Sequence, residues 1–299
     1  MAGRRKDIAC EKIRQNPSDD STLAKVRDAA SFSRMIWQKL SSLFGGDAAV
    51  EDVFREEWVA LLQENVPLYR KLPEELRLRL HERIARFVSS VRFEGCNGLE
   101  LTEEMILTVA AQACLLVIHR EGTPYPHLKV VYLYPSSFSS IQKHVDAMGI
   151  VSEGRVHRLG ESWEMGTIVL SWDSVEQGAR NIVDAENVTF HEFAHQLDHE
   201  DGPTDGAPGL PSRAAYRSWA HVFSENYADF IHMLERGEKT LIDPYGATNP
   251  AEFFAVATET FFEKPKQLCR KRPDLYEQMM GYYGLDPREW FEGSDAAST

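Results

Sequence analysis

Residues 190–198 read Phe190-His191-Glu192-Phe193-Ala194-His195-Gln196-Leu197-Asp198, and the assignment of the chain begins there. On an α-helix, positions i and i+4 project from one face one turn apart. His191 and His195 so placed can both reach a single metal ion. Glu192, next to the first histidine, can face a water beside that ion without ligating it. A zinc ion lowers the pKa of such a water, and a neighbouring glutamate takes its proton as the oxygen attacks a carbonyl. Phe190, Phe193, Ala194 and Leu197 supply the apolar surface of a packed helix. The helix is predicted to run from Asn181 to Glu200 and to end at Gly202-Pro203. The competing reading is a histidine pair that is simply packed or solvated. Asp198, seven residues after His191, shares the histidine face. It is expected either to orient an imidazole, to meet a substrate amine, or to lie in solvent at the helix end.

A zinc site needs a third protein ligand, and several residues compete for the role. In the metzincin pattern a glycine follows three residues after the second histidine and a ligand three further on. Those positions hold Asp198 and Asp201. Aspartate can ligate zinc, which makes Asp201 the third ligand of an alternative metzincin-like peptidase, but the turning glycine is absent and no convincing Met-turn follows. His199 would lie one turn beyond His195. Glu252 lies in Asn249-Pro250-Ala251-Glu252-Phe253-Phe254-Ala255. There Asn249 is a good N-cap, Pro250 suits the first helical position, and Glu252 stands where a capping-box carboxylate would. Local physics does not separate a capping glutamate from a ligand. Glu259 shares the face of Glu252 and is expected either to support the site or to be a surface carboxylate.

Around this centre the pattern is mainly helical. Leu76, Leu80, Ile84, Phe87 and Val91 mark one face of a helix opening at Pro73-Glu74-Glu75. Thr102 opens an apolar helix through Ile118. The period then changes, and Leu128–Tyr134 and Gly166–Trp172 read as strands. The second is expected to lie beside the cleft and to pair its edge with an extended substrate. Ser212 caps a helix through Arg236, and another runs from Asn249-Pro250 to about Glu263. Helices, a small mixed sheet, then helices again indicate an α+β fold, mainly helical, over residues 53–292. Residues 1–52 read as an extension, partly disordered, and 293–299 as a disordered tail. In the extension Phe32, Ile36, Leu40 and Phe44 recur every fourth residue. That spacing predicts an amphipathic helix, docking on the main domain or a partner in preference to a membrane surface.

The chain has 299 residues and a formal charge of −13. That balance excludes a broad phosphate-binding surface, so no direct nucleic-acid binding is expected. The longest apolar run, Met105–Ile118, is short of the ~20 residues a membrane span needs and reads as a buried helix. Basic Met1–Lys6 is followed by no apolar segment, which argues against a secretory signal. Cys10, Cys96, Cys114 and Cys269 are scattered and read as free thiols in a reducing compartment. A cytoplasmic location is expected.

The paired segments His191–Asp198 and Asp243–Ala255 resemble the bacterial Mlc titration factor A family of zinc metallopeptidases. The likeness runs from about Glu56 to Trp290 and includes Val131–Pro135, Gly160–Trp163, Gly166–Trp172 and Thr260–Glu263. That family is similar in its catalytic core to the peptidase domain of anthrax lethal factor. The resemblance implies a zincin-like domain in which His191, His195 and Glu252 ligate zinc, a gluzincin-like set, with Glu192 as general base and Tyr245 facing the site. The Tyr245 hydroxyl would suit an oxyanion or a leaving amine; in isolation it reads as a loop tyrosine beside Pro244. The resemblance also implies an aminopeptidase-like action on short peptides and binding to the glucose-responsive repressor Mlc. A purely regulatory module that sequesters a repressor is the alternative from another class.

Overall fold

The computed structural model describes residues 54–136, 138–145, 151–158, 160–163 and 166–291. Between 138 and 163 the description is of backbone pairing. The 1–52 extension, where an amphipathic helix is expected, and the 293–299 tail lie outside the described residues.

Helices α1 (Glu56–Asn65), α2 (Pro67–Lys71) and α3 (Glu74–Ser90) come first. Helix α3 forms where expected. Pro73 occupies the N-cap, Glu74 and Glu75 the first turn, and Leu80, Ile84, Phe87 and Val88 are buried. Strand β1 (Arg92–Gly95) leads to α4 (Glu103–Leu115), which the Thr102 side chain caps by accepting from Met105 N. Every residue from Ile106 to Leu115 is buried, as the sequence predicts for an interior helix. No helix among the described residues is long and apolar enough to cross a membrane. Cys96, Cys114 and Cys269 are free thiols; Cys10 lies outside the described residues.

Strands β2 (Val130–Tyr134) and β6 (Thr167–Ser171) occupy the two predicted positions, trimmed at their ends. Between them come β3 (Phe138–Val145), β4 (Val151–Arg158) and β5 (Gly160–Trp163). The main sheet is mixed, ordered β1-β2-β6-β5. Strands β1, β2 and β6 are parallel, and β5 is antiparallel to β6. Strands β3 and β4 form a separate antiparallel pair. This order corrects one expectation. Strand β6 has no free edge for a substrate, because β2 takes one side and β5 the other. Its burial agrees, since Ile168 to Ser171 are all buried, the mark of an internal strand. Among the described residues the open edge on that side belongs to β5, which packs against the helix that carries the histidines.

A second correction concerns that helix. It is α6, Val188–Asp198, and starts seven residues later than expected. Residues 181–187 are irregular and include Ala185 at φ +60. The preceding helix, α5 (Trp172–Arg180), follows β6 directly and was not expected. Its Ser, Asp and mid-helix Gly178 imitate a turn. Gly178 is there for space, since a Cβ would lie 3.0 Å from Asn187 Cα. The chain continues through α7 (Arg213–Glu235), capped by Ser212 as expected, a 3₁₀ turn at Pro244–Thr248, α8 (Pro250–Glu263), α9 (Pro265–Lys271) and α10 (Pro273–Tyr283). A final 3₁₀ turn covers Pro287–Phe291.

Helix α6 is held on two sides by aromatic contacts. Phe193 meets Tyr125 and Phe87, at ring separations of 4.9 and 5.7 Å. Phe190 stacks on Phe262 of α8 at 5.0 Å. Both rings of α6 are fully buried. Removing a buried phenyl ring costs about 3–5 kcal/mol. Phe193→Ala is therefore expected to lower the unfolding free energy by that amount, measured by urea denaturation, with no loss of helix content below the transition.

Candidate metal centre

Helix geometry places His191 and His195 on one face of α6, with their rings edge-to-face at 4.8 Å. Helix α8 packs against α6 and brings Glu252 opposite them. His191 Nε2 lies 2.9 Å from Glu252 Oε2, His195 Nε2 lies 3.2 Å from the same oxygen, and the two nitrogens are 3.2 Å apart. Among the described residues these three form the group able to hold a metal ion. Bonds of ~2.0–2.1 Å at tetrahedral angles would place neighbouring ligand atoms about 3.3 Å apart. The observed triangle is close to one face of that tetrahedron. Two imidazoles and a carboxylate are also a donor set that suits zinc.

The electrostatics agree. Burial disfavours a charged His191, yet the Glu252 and Glu259 carboxylates outweigh it and push its pKa well above the ordinary imidazole value. Burial likewise disfavours a charged Glu252, yet the two imidazoles hold its carboxyl far below the usual carboxylate range. Both shifts have one source, a pocket that favours one positive charge among these atoms. A divalent cation meets the same demand.

Glu252 is placed against the two imidazoles. Asn249 does cap α8, its side chain accepting from Glu252 N at 3.0 Å. The Glu252 carboxylate, however, turns to the imidazoles and does not close a capping box. Its Oε1 accepts from the Tyr245 hydroxyl at 3.5 Å. Tyr245 sits in the 3₁₀ turn, capped by Asp243, with its ring 5.9 Å from that of His191 and 55% of the residue exposed. Glu192 is buried on α6 at 5% exposure. Glu259 Oε1 lies 2.8 Å from His191 Nδ1, fixing the far side of that ring. It is a buried carboxylate, not a surface one.

A family profile, the glucose-regulated metallo-peptidase M90, matches residues 45–284. The chain belongs to that family. A Synechocystis protein described as uncharacterized is 41% identical to this M90 chain over 231 residues, covering 77% of the chain and 84% of the relative. The Mlc titration factor A of Serratia proteamaculans is 33% identical over 225 residues, covering 74% and 85%. That of Cronobacter sakazakii is 32% identical over 237 residues, covering 77% and 86%.

Other sequence candidates of this M90 chain are placed elsewhere. Asp201 is exposed and accepts a hydrogen bond from the Tyr216 hydroxyl, away from the cluster. His199 is the C-cap of α6 and pairs with Thr204 Oγ1 at 2.9 Å. Asp198 is fully buried, and its two oxygens accept from Gly206 N at 3.0 and 2.9 Å. The Gly206 carbonyl in turn accepts from Trp219 Nε1 at 2.8 Å. Gly206 has φ +85, and a Cβ there would lie 2.5 Å from Pro250 O. Asp198 thus holds a glycine turn against the start of α8, two residues before Glu252. Sequence reasoning missed Gly206, Trp219 and Asn187. Only Asn187 left a signal, as an N-cap residue type just before the apolar helix.

Burial pushes the Asp198 carboxyl up to about 6, against the backbone N–H of Gly206, from 3.8. Between those values the native state keeps a proton that the unfolded chain releases, so stability falls as pH rises through the window. The stability of the wild type relative to Asp198→Asn is expected to decline from about pH 4 to about pH 7. Urea titrations of both proteins at each pH measure it.

Proposed function

We propose that this M90 chain hydrolyses peptide bonds, with zinc held by His191, His195 and Glu252 and with Glu192 as the general base. The observation that carries this reading is the triangle of two Nε2 atoms and one carboxylate oxygen, 2.9 to 3.2 Å on a side. Membership of a metallopeptidase family supports it. Zinc, when bound, supplies Lewis acidity that polarises a carbonyl and acidifies a water. Glu192, on the helix turn that carries both histidines, takes the proton of the attacking water and passes it to the leaving amine. The partly exposed Tyr245 hydroxyl donates to the oxyanion as it forms. An extended peptide adds to the open edge of β5, beside α6. An aminopeptidase-like preference for short peptides, and action in the reducing cytoplasm, belong to this proposal on the strength of the sequence resemblance.

Glu192→Gln is expected to keep stoichiometric zinc and to lose at least 10²–10⁴-fold in turnover. Glu252→Ala is expected to lose the metal. Metal analysis paired with peptide-library turnover, with and without chelator, measures both. Activity surviving in Glu192→Gln would refute the mechanism, and full zinc occupancy in Glu252→Ala would refute the ligand set.

The names of the Serratia and Cronobacter relatives favour a second role, binding of a transcriptional repressor. The −13 charge does not conflict with it, because a repressor partner would carry the DNA contact itself. Pull-down of purified Mlc-type repressor by the Glu192→Gln variant is the test. Capture by the variant, with no cleavage of any library peptide by the wild type, would favour the regulatory module over the peptidase; no capture removes the second role.

A further inference from the structure

We infer that Asn187 is the positioning residue that sets His191 for metal binding, acting through Glu259 and anchored by Gln112 and Glu263. The inference rests on the metal reading above. Asn187 lies outside the ligand cluster and is 1% exposed. It constrains His191 along three routes. Its carbonyl accepts the His191 backbone N–H at 3.0 Å. Its side-chain oxygen caps α6, accepting from Phe190 N at 3.0 Å. Its own backbone N–H donates to Glu259 Oε2, while Glu259 Oε1 holds His191 Nδ1.

A capping role alone does not account for an asparagine. Serine, threonine and aspartate cap as well, since the cap needs only an oxygen. Among these residues only asparagine adds an amide N–H₂. That group faces three acceptors, Gln112 Oε1 at 2.8 Å, Glu263 Oε1 at 3.0 Å and Gly178 O at 3.1 Å. They belong to α4, α8 and α5. The amide therefore ties the start of α6 to three other helices. Gln112 is itself fixed, donating to Thr108 O at 3.0 Å. Glu263 Oε2 accepts from Ala185 N at 2.9 Å, which holds the left-handed Ala185 in place. Burial pushes the Glu263 carboxyl up.

The consequence falls on the imidazole. A histidine ligand presents one nitrogen to the metal, and the partner of its other nitrogen sets the tautomer and ring angle. Here that partner is Glu259, and Asn187 holds the far oxygen of Glu259. Loosening Asn187 frees the Glu259 carboxylate to swing and the His191 ring to turn with it.

Asn187→Ser and Asn187→Asp keep the capping oxygen and delete the amide N–H₂. Both are expected to weaken zinc binding about 10–100-fold, measured by competition with a chromophoric chelator. The absorption spectrum of the cobalt-loaded variants should shift, while metal-free thermal melts remain cooperative. Glu259→Gln should weaken zinc in the same direction, and its effect should not add to that of Asn187→Ser. Glu263→Gln is the second probe with the cap intact. Both Glu263 oxygens accept, and a glutamine can replace only one of them, so zinc affinity should fall there too. Wild-type zinc affinity and cobalt spectrum in Asn187→Ser or Glu263→Gln, even with a lower melting temperature, would overturn the inference. Additive losses in the double variant would do the same. Full zinc binding by Glu252→Ala would instead count against the ligand set.

Discussion

The crowding of three electron-rich atoms in a largely buried pocket is the constraint on which the rest of the structure depends. His191 Nε2, His195 Nε2 and Glu252 Oε2 stand 2.9 to 3.2 Å apart. Such a group is costly unless a proton or a cation lies among its members. Against the cost of burial, the neighbouring carboxylates raise His191 and the imidazoles depress Glu252. A cluster with that preference relaxes apart unless its two helices are clamped. Much of the surrounding architecture supplies the clamp.

Apolar contacts fix the depth of α6, with Phe190 against α8 and Phe193 against Tyr125 and Phe87. Such contacts are non-directional and leave rotation and register loose. Directional bonds at the two ends of α6 complete the clamp. At the start, Asn187 and Glu259 join α6 to the middle of α8. At the end, Asp198 and Gly206 press against Pro250, where α8 begins. The two helices that carry the cluster are thus joined by hydrogen bonds at the start of α6, and at its end by a hydrogen-bonded glycine turn lying against Pro250. Asp198 and Glu263 are held with raised carboxyl pKa values because these bonds lie out of water. The fold accepts that cost at neutral pH in exchange for a fixed site.

The sheet contributes orientation. Strands β2 and β6 form its interior, parallel to each other and to the edge strand β1, and antiparallel β5 lies at the other edge, against α6. The sequence of β6 carried a usable sign of its place. A strand of Ile168-Val169-Leu170 with no polar alternation is buried on both faces, so it cannot be an edge. The short β1 and helix α5 had no comparable sign. Their residues fit several local conformations, and partners distant in sequence chose among them.

The histidine pair and its glutamate were legible because an i, i+4 spacing is a local property of a helix. The caps at Thr102, Ser212 and Asn249 were legible for the same reason. Family membership was legible too, through two motifs and their separation. The place of Glu252 was not decided locally. Asn249-Pro250-Ala251-Glu252 has the same appearance whether its glutamate caps or coordinates, and only the packing of α8 on α6 turned the carboxylate to the imidazoles. Asp198 showed its helical face but not its partner, since Gly206 approaches it through a turn of positive φ. Asn187 was hidden inside an overlong predicted helix. Its amide meets residues 75 and 76 positions away in sequence. Local sequence determined which side chains share a face, because helical periodicity is set by neighbouring residues. Tertiary structure decided which faces meet, because burial and hydrogen bonding are satisfied between elements that the chain order does not place side by side.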